Sequence, residues 1–422
     1  MLILGGSNIQ INAILRAKGK GHTVIVADYL DDAPGKKFAE YSELTSTFDA
    51  QGCLAVARQY RIDGILTVGT DQPVLTCAKV ANELGLPSFL GVEQAKAVTH
   101  KKVMKKIFKE NGIPSAEYRL IQEDFEEAEL KGLRFPVVMK PLDSQGQRGV
   151  YKVESLQQIR SLLPDVLSYS REDEILVEEF YPSEEITLSG WVRNGKAHIL
   201  TVTDRQTITN GHHIGVCIAH NFPSKHLANY PQEIEELTNK IVKAFGIQNG
   251  PIYFQMLIGS EGIKVNEIAC RIGGAYEDEL LPVITGVDIL EMLIHHAAGQ
   301  DIDYTALEQY DFKHNANHAS VQMIFTEPGT IGRMVPMEEI VARSGAITGG
   351  FNYQVGSMIQ EIQNATQRVG YMLFQADSAD RLRFKIEKAF ECLEIRDTQG
   401  KNMLMDLLCG KKTVRNPVQN LK

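Results

Sequence analysis

The stretch Gly250–Gly274, GPIYFQMLIGSEGIKVNEIACRIGG, holds two apolar runs around GSEG and ends in an arginine and two glycines. Two apolar runs about a short glycine loop predict a β-hairpin. A three-residue loop, Ser260, Glu261 and a left-handed Gly262, sets Gln255 opposite Glu267 on one face, whereas a four-residue loop sets them on opposite faces. Along the second strand, period-2 alternation puts Glu267, Ala269 and Arg271 on one side, the outer two about 13 Å apart at ~3.3 Å per residue. A carboxylate beside a carboxamide oxygen suits Mg2+, a hard cation that also takes phosphate oxygens, and the arginine suits a phosphate or a carboxylate. Gly273 and Gly274 let backbone N–H groups approach such a ligand. The competing reading is a Glu–Arg ion pair on a sheet face.

Upstream, residues 2–90 alternate short apolar runs (MLILGG, TVIVADY, DGILTVG) with amphipathic stretches (INAILRAKGKG, CLAVARQY, VLTCAKVANELG), which predicts a parallel sheet with helices on its faces. The first turn, Gly5-Gly6-Ser7-Asn8, together with Asp28 at the end of the second strand, suits a dinucleotide, but the spacing is not G-x-G-x-x-G and a cofactor-free turn is the favoured reading. From Gln94 a lysine-rich helix is expected over EQAKAVTHKKVMKKIFKENG, stopped by Gly112 and Pro114. Strands follow in FPVVMK and in EILVEEFYPSEEITLSGWV, then a helix over PQEIEELTNKIVKAFG. The expected organisation is residues 1–93 as a Rossmann-like domain, 94–300 as a second domain with a mobile lid about 133–190, and 301–422 as a small α+β cap.

With 422 residues, 43% hydrophobic and 23% charged, the composition is that of a multidomain globular protein. A net charge of -9 without a concentrated basic footprint argues against nucleic acid. No apolar run reaches the about 20 residues that cross a bilayer, and no signal peptide is evident, so the cytoplasm is expected. Six cysteines without C-x-x-C spacing predict reduced core residues.

Several other residues suit a nucleotide. Lys101 and Lys140 can meet phosphates, and Lys140 ends the apolar strand FPVVMK, where an ammonium without an anionic partner is costly. The loop SQGQRG, with Ser144, Gly146 and Gly149, offers backbone donors and mobility, although it is not a Walker A loop. In LVEEFYPSEE, Glu178, its neighbour Glu179 and the backbone near Tyr181 suit an adenine edge, and Glu185 suits ribose hydroxyls. The polar stretch TDRQTITNGHHIGVCIAHNFPS offers Arg205 and His212 for a carboxylate or amine substrate, although adjacent histidines are more often solvated loop residues.

Taken in order, KKVMKKIFKENGIP, PVVMKPLDSQGQRGV, ILVEEFYPSEEITLSG and FQMLIGSEGIKVNEIACRIGG resemble the ATP-grasp superfamily, in the branch of carbamoyl-phosphate synthase large-chain domains, phosphoribosylglycinamide synthetases and L-amino acid ligases. The resemblance implies an ATP-grasp fold, α/β and α+β, with an N-terminal Rossmann-like pre-ATP-grasp domain and a small C-terminal α+β domain. It implies ATP with Mg2+, or Mn2+ in its place. Lys101 and Lys140 would bind phosphates under the loop of Ser144, Gly146 and Gly149. Glu178, Glu179 and Tyr181 would hold adenine and Glu185 ribose; Gln255 and Glu267 would carry the metal. Arg271 and Lys140 would serve catalysis, with Arg205, His212, Arg271, Gly273 and Gly274 meeting substrate. The implied reaction is ligation of a small carboxylate to an amine through an acylphosphate, releasing ADP, with an amino acid as the candidate substrate, and relatives suggest a homodimer. Rivals are a bicarbonate-phosphorylating carboxylase or carbamoyl-phosphate synthase-like enzyme, a dinucleotide-binding oxidoreductase, and a non-catalytic ATP-binding subunit. Gln255 replaces the carboxylate of many relatives and Ala269 their asparagine, so fewer anionic metal ligands are expected.

Overall fold

The computed structural model describes residues 1–407 and 413–414. Leu2–Leu4 (β1), Ile25–Asp28 (β2), Tyr41–Leu44 (β3) and Ile65–Leu66 (β4) form a parallel sheet in the order β3-β2-β1-β4. β1, β2 and β4 are buried, as expected of strands covered by helices on both faces. Ile11–Gly19 follows β1, Ala50–Tyr60 follows β3 and Gln72–Leu84 follows β4, each as a helix. The Gly5-Gly6 turn is filled from within: Asp28 accepts from the Gly6 N–H at 2.8 Å and the Leu30 N–H at 2.9 Å, and the Gly35 N–H reaches the Gly6 carbonyl at 2.6 Å. That leaves Asp28 holding its own loop, where a dinucleotide reading needs it free for a ribose.

The lysine-rich segment forms two helices, Val92–Thr99 and Lys101–Glu110, because His100 is extended at φ -118 and ψ 112. The break makes Lys101 the first residue of the second helix, and its N–H reaches the Leu142 carbonyl at 3.1 Å.

The centre of the molecule is a 12-stranded sheet. Its main path uses Tyr118–Ile121 (β5), Val137–Pro141 (β6), Tyr151–Val153 (β7), Ile175–Glu179 (β8), Ser183–Arg193 (β9), Lys196–Asn210 (β10), His213–Phe222 (β11), Gly250–Gly259 (β12) and Gly262–Ala269 (β13), ordered β13-β12-β9-β10-β11-β7-β6-β8-β5. The helix Pro231–Ala244 packs against it through Ile234, Leu237, Ile241 and Val242, in a cluster with Phe108, Ile186, Leu188 and Phe254. The segment TDRQTITNGHHIGVCIAHNF is the long β10–β11 hairpin, in which Asn210 pairs with His213 across a two-residue Gly211-His212 loop with Gly211 at φ 60.

The C-terminal segment is continuous with this sheet. His318–Ile324 (β14) pairs with β11 and with Gly370–Ala376 (β18), which also pairs with Thr348–Phe351 (β16). Gly329–Met334 (β15), Met358–Ile359 (β17) and Ile395–Asp397 (β19) form a small separate sheet. The expected helix over SADRLRFKIEKAFECLEI is Ala379–Cys392, capped by Ser378. The described cysteines are free and Cys53, Cys217 and Cys270 are buried, while Cys409 lies outside the described residues. No single described helix is long and apolar enough to cross a membrane.

Candidate active site

Antiparallel pairing of β6 with β8 sets Val138 opposite Glu178, so Lys140 and Glu178 are diagonal neighbours on one face. The Lys140 ammonium pairs with Glu178 and donates to Asn266 Oδ1 at 2.9 Å. From the helix Lys101–Glu110, the buried Lys105 Nζ lies 2.7 Å from the other Glu178 oxygen. Burial alone would raise the Glu178 carboxyl, but the ammonium groups of Lys105 and Lys140 bring it down to about 2. Lys101, one helical turn before Lys105, donates to the Ser144 carbonyl at 2.7 Å and lies 3.6 Å from Glu267. The lysine of this group that sequence reasoning missed is Lys105, which in the sequence is indistinguishable from the solvated Lys102 and Lys106.

The β12–β13 hairpin turns more tightly than expected: Gly259 pairs with Gly262, leaving a two-residue loop, Ser260-Glu261, with Gly262 at φ 86. A register shift after the Met256–Val265 pair then restores Gln255 opposite Glu267. The unpaired residue is Asn266, and the bulge brings Asn266 and Glu267 to consecutive half-buried positions while Val265 and Ile268 stay buried. Asn266 was not foreseen, since a bulge leaves no mark in hydrophobic alternation.

The buried Gln255 Oε1 has no hydrogen-bond partner, beside the Glu267 carboxylate. An acceptor-only oxygen left bare next to a carboxylate fits a hard cation such as Mg2+. Among the described residues no group of three His, Cys, Asp or Glu side chains forms a complete cage, so remaining ligands would come from solvent or phosphate.

Arg271 is buried and its guanidinium binds Asp71, with Nε at 2.7 Å and Nη2 at 2.6 Å from the same oxygen. It also lies against the Tyr253 ring, 4.7 Å from its centroid. Asp71, from the loop after β4, was not singled out from sequence; Lys101 and Glu267 also act on its charge. Gly273 and Gly274 are required by the protein itself. A Cβ on Gly273 would fall 2.3 Å from the Glu277 carboxyl carbon, and one on Gly274 would fall 2.5 Å from the Gly69 carbonyl oxygen. The Cβ side of each glycine is therefore taken by the chain itself.

The loop of Ser144, Gly146 and Gly149 lies across the other elements. Gln145 Oε1 accepts from the N–H groups of Asp71 at 2.5 Å and Gln72 at 3.2 Å, and the Gly146 carbonyl accepts from Ala365 N–H at 3.1 Å. Gly146 and Gly149 both have φ 69, a left-handed backbone that favours glycine. The buried Arg148 Nε has no partner in this closed loop.

Other expected site residues stand apart. Glu179 points away from Glu178, as alternation along β8 requires, and binds Arg134 through both carboxylate oxygens, at 2.7 Å and 2.9 Å for the shortest contacts, so its side chain does not join the lysine group. Tyr181 secures the hairpin turn: its hydroxyl donates to the Gly262 carbonyl and accepts from Glu261 N–H, both at 2.9 Å. Glu185 and Arg205, assigned separately to ribose and substrate, pair with each other because they are opposite one another in β9 and β10. His212 lies at the exposed β10–β11 turn with Nδ1 3.3 Å from the Lys152 carbonyl. The buried His220, by contrast, lies against Thr187 and Thr203, and burial followed by the charges of Arg205 and Arg368 lowers it to about 3.

Residues 133–278 match the ATP-grasp domain and residues 322–397 match the L-amino acid ligase C-terminal domain 2. The chain is 23% identical over 280 residues to a dapdiamide A synthase of Enterobacter agglomerans, covering 63% of this chain and 62% of that protein. It is 22% identical over 324 residues to an L-arginine-specific L-amino acid ligase of Bacillus subtilis, covering 74% and 75%. The match thus spans less than two thirds of the synthase's own length. The fold is that of the crystal structure of an L-amino acid ligase from Bacillus licheniformis, with a TM-score of 0.78 at 18% identity, covering 94% of this chain and 98% of the other.

Proposed function

The chain carries an ATP-grasp domain joined to an L-amino acid ligase C-terminal domain, and from that premise we propose that it is an ADP-forming carboxylate–amine ligase, with an amino acid among its substrates. The observation that carries the reading is the bare Gln255 Oε1 beside Glu267, within reach of Lys101 and backed by the buried Arg271. These are the charges that transfer of a γ-phosphoryl group between two anions needs, since such catalysis is positioning and charge neutralisation more than protein nucleophile chemistry.

On this reading Lys101 and Lys140 neutralise the triphosphate, and the loop of Ser144, Gly146 and Gly149 excludes water from it. Gln255 and Glu267 would hold Mg2+, which would neutralise phosphate charge there. Arg271, held in place by Asp71, faces the carboxylate that attacks the γ-phosphorus. The new bond is carboxylate oxygen to phosphorus and the broken bond releases ADP. The amine nitrogen then attacks the acyl carbon, inorganic phosphate leaves, and the amine proton passes to solvent.

The test is ADP release from Mg-ATP over a panel of amino acids and other carboxylates, with and without amines, and with bicarbonate as a separate arm. Carboxylate- and amine-dependent ADP release that is lost in Glu267→Gln is the expected result. ADP release driven by bicarbonate alone would instead favour the carboxyphosphate-forming rival.

A further inference from the structure

The buried cations of the site are paired with carboxylates almost throughout: Arg205 with Glu185, Arg271 with Asp71, and Lys105 and Lys140 with Glu178. Arg368, in the loop preceding β18, is the exception. It is 8% exposed, its Nε has no hydrogen-bond partner, and among the described residues no carboxylate forms an ion pair with it. Its Nη1 reaches the Gly274 carbonyl at 3.5 Å, three residues after Arg271, and its guanidinium carbon lies 5.9 Å from the Tyr276 ring centroid. The charge of Arg368 acts on Cys217 and His220 of β11, as the charge of Arg205 does.

Its position is held firmly. The Arg368 carbonyl accepts from Asn352 Nδ2 at 3.0 Å, and Asn352 Oδ1 accepts from Asn8 Nδ2 at 3.0 Å. The same loop meets the glycine loop through Ala365 and Gly146. A guanidinium stays charged at any ordinary pH, and burying it without a counter-charge is costly. Its planar donor fork matches a carboxylate.

Resting on the ligase reading above, we propose that Arg368 anchors a second carboxylate of the substrate pair, one other than the carboxylate that is phosphorylated. That carboxylate belongs either to the amine-bearing partner or to a dicarboxylic acyl donor. Either source gives Arg368 the carboxylate partner that no described residue supplies.

The test uses the full-length chain and its Arg368→Gln and Arg368→Lys variants. ADP release is compared for amine partners as free L-amino acids and as their carboxamides, and for L-aspartate and L-glutamate against L-asparagine and L-glutamine as donors. The expected result is that Arg368→Gln raises the KM for one carboxylate series about 10- to 100-fold and erases its advantage over the amides, while the KM for ATP stays within about twofold. The amine arm or the donor arm then identifies the source. Equal loss with acids and amides, or no loss, would overturn the proposal. Arg368→Lys keeps the charge without the fork, so a folded lysine variant with the wild-type preference for acids would also count against it. If wild type releases no ADP with any carboxylate, the ligase reading fails. Calorimetric titration of the same L-amino acids and amides into Mg-ADP-loaded wild type and Arg368→Gln then tests Arg368 alone, with equal affinities for acids in both proteins overturning it.

Discussion

Glu178 is held by two ammonium groups, and its removal would leave both buried without a counter-charge. Glu178→Gln is expected to lose about 3–5 kcal/mol of stability in denaturant unfolding. Because its folded pKa of about 2 lies below the ordinary 4.5, Glu178 contributes stability that is complete above about pH 5 and lost as pH falls from there towards 2. Acid unfolding of wild type should therefore be steep in that window and flatter in Glu178→Gln; identical acid profiles would contradict the pairing. A second prediction concerns Gln255, whose bare oxygen faces a single carboxylate. Gln255→Glu adds a negative ligand and should lower the Mg2+ concentration that half-saturates ADP release by roughly tenfold. An unchanged Mg2+ dependence in that variant would remove the metal from this face. Lys140 was legible because it ends an apolar strand, yet its partner was not. Sequence marks where an ammonium needs an anion, and only the β6–β8 register reveals that Glu178 supplies it.

At the scale of elements, the hairpin shows how a correct pairing can come from incorrect local geometry. The expected three-residue loop and the observed two-residue loop differ by one residue, and the unpaired Asn266 makes up that difference. Such bulges depend on both strands and on Lys140 opposite, so one strand's alternation does not display them. The break at His100 was hidden in the same way: the lysine-rich segment keeps helical periodicity across it, and the separation comes from docking Lys101 against Leu142. The glycines after Arg271 were read as letting backbone N–H groups approach a ligand, and their Cβ sides are in addition closed by Glu277 and Gly69. Gly274→Ala should therefore cost about 3 kcal/mol or more through overpacking against backbone that cannot swing aside. Gly211→Ala, at φ 60 with open space around it, should lose only the about 1–2 kcal/mol of its left-handed backbone. Equal or greater loss at Gly211 in matched denaturant titrations would contradict this account of the Gly274 joint.

Across the whole molecule, the strand–helix alternation and the order of the four motifs made the N-terminal parallel sheet and the ATP-grasp fold legible in the sequence. Long-range pairings were less visible: β14 joins β11 across about a hundred residues, and Asp71 reaches Arg271 from a different sheet. The glycine loop ties three parts of the chain together, through Gln145 to Asp71 and Gln72 and through Gly146 to Ala365. Gln145→Ala should open this loop, speeding tryptic cleavage after Arg148 severalfold, with Mg-ATP restoring protection; equal cleavage rates would mean that the latch does not hold it. The proposed reaction makes an acylphosphate beside Arg271, and hydroxylamine trapping tests that claim most directly. The protein is incubated with Mg-ATP, hydroxylamine and each carboxylate of the panel, and hydroxamate and ADP are measured together. The account predicts equimolar hydroxamate and ADP from one class of carboxylate, absent in Glu267→Gln; ATP-binding protein that yields no hydroxamate and no carboxylate-dependent ADP would contradict it.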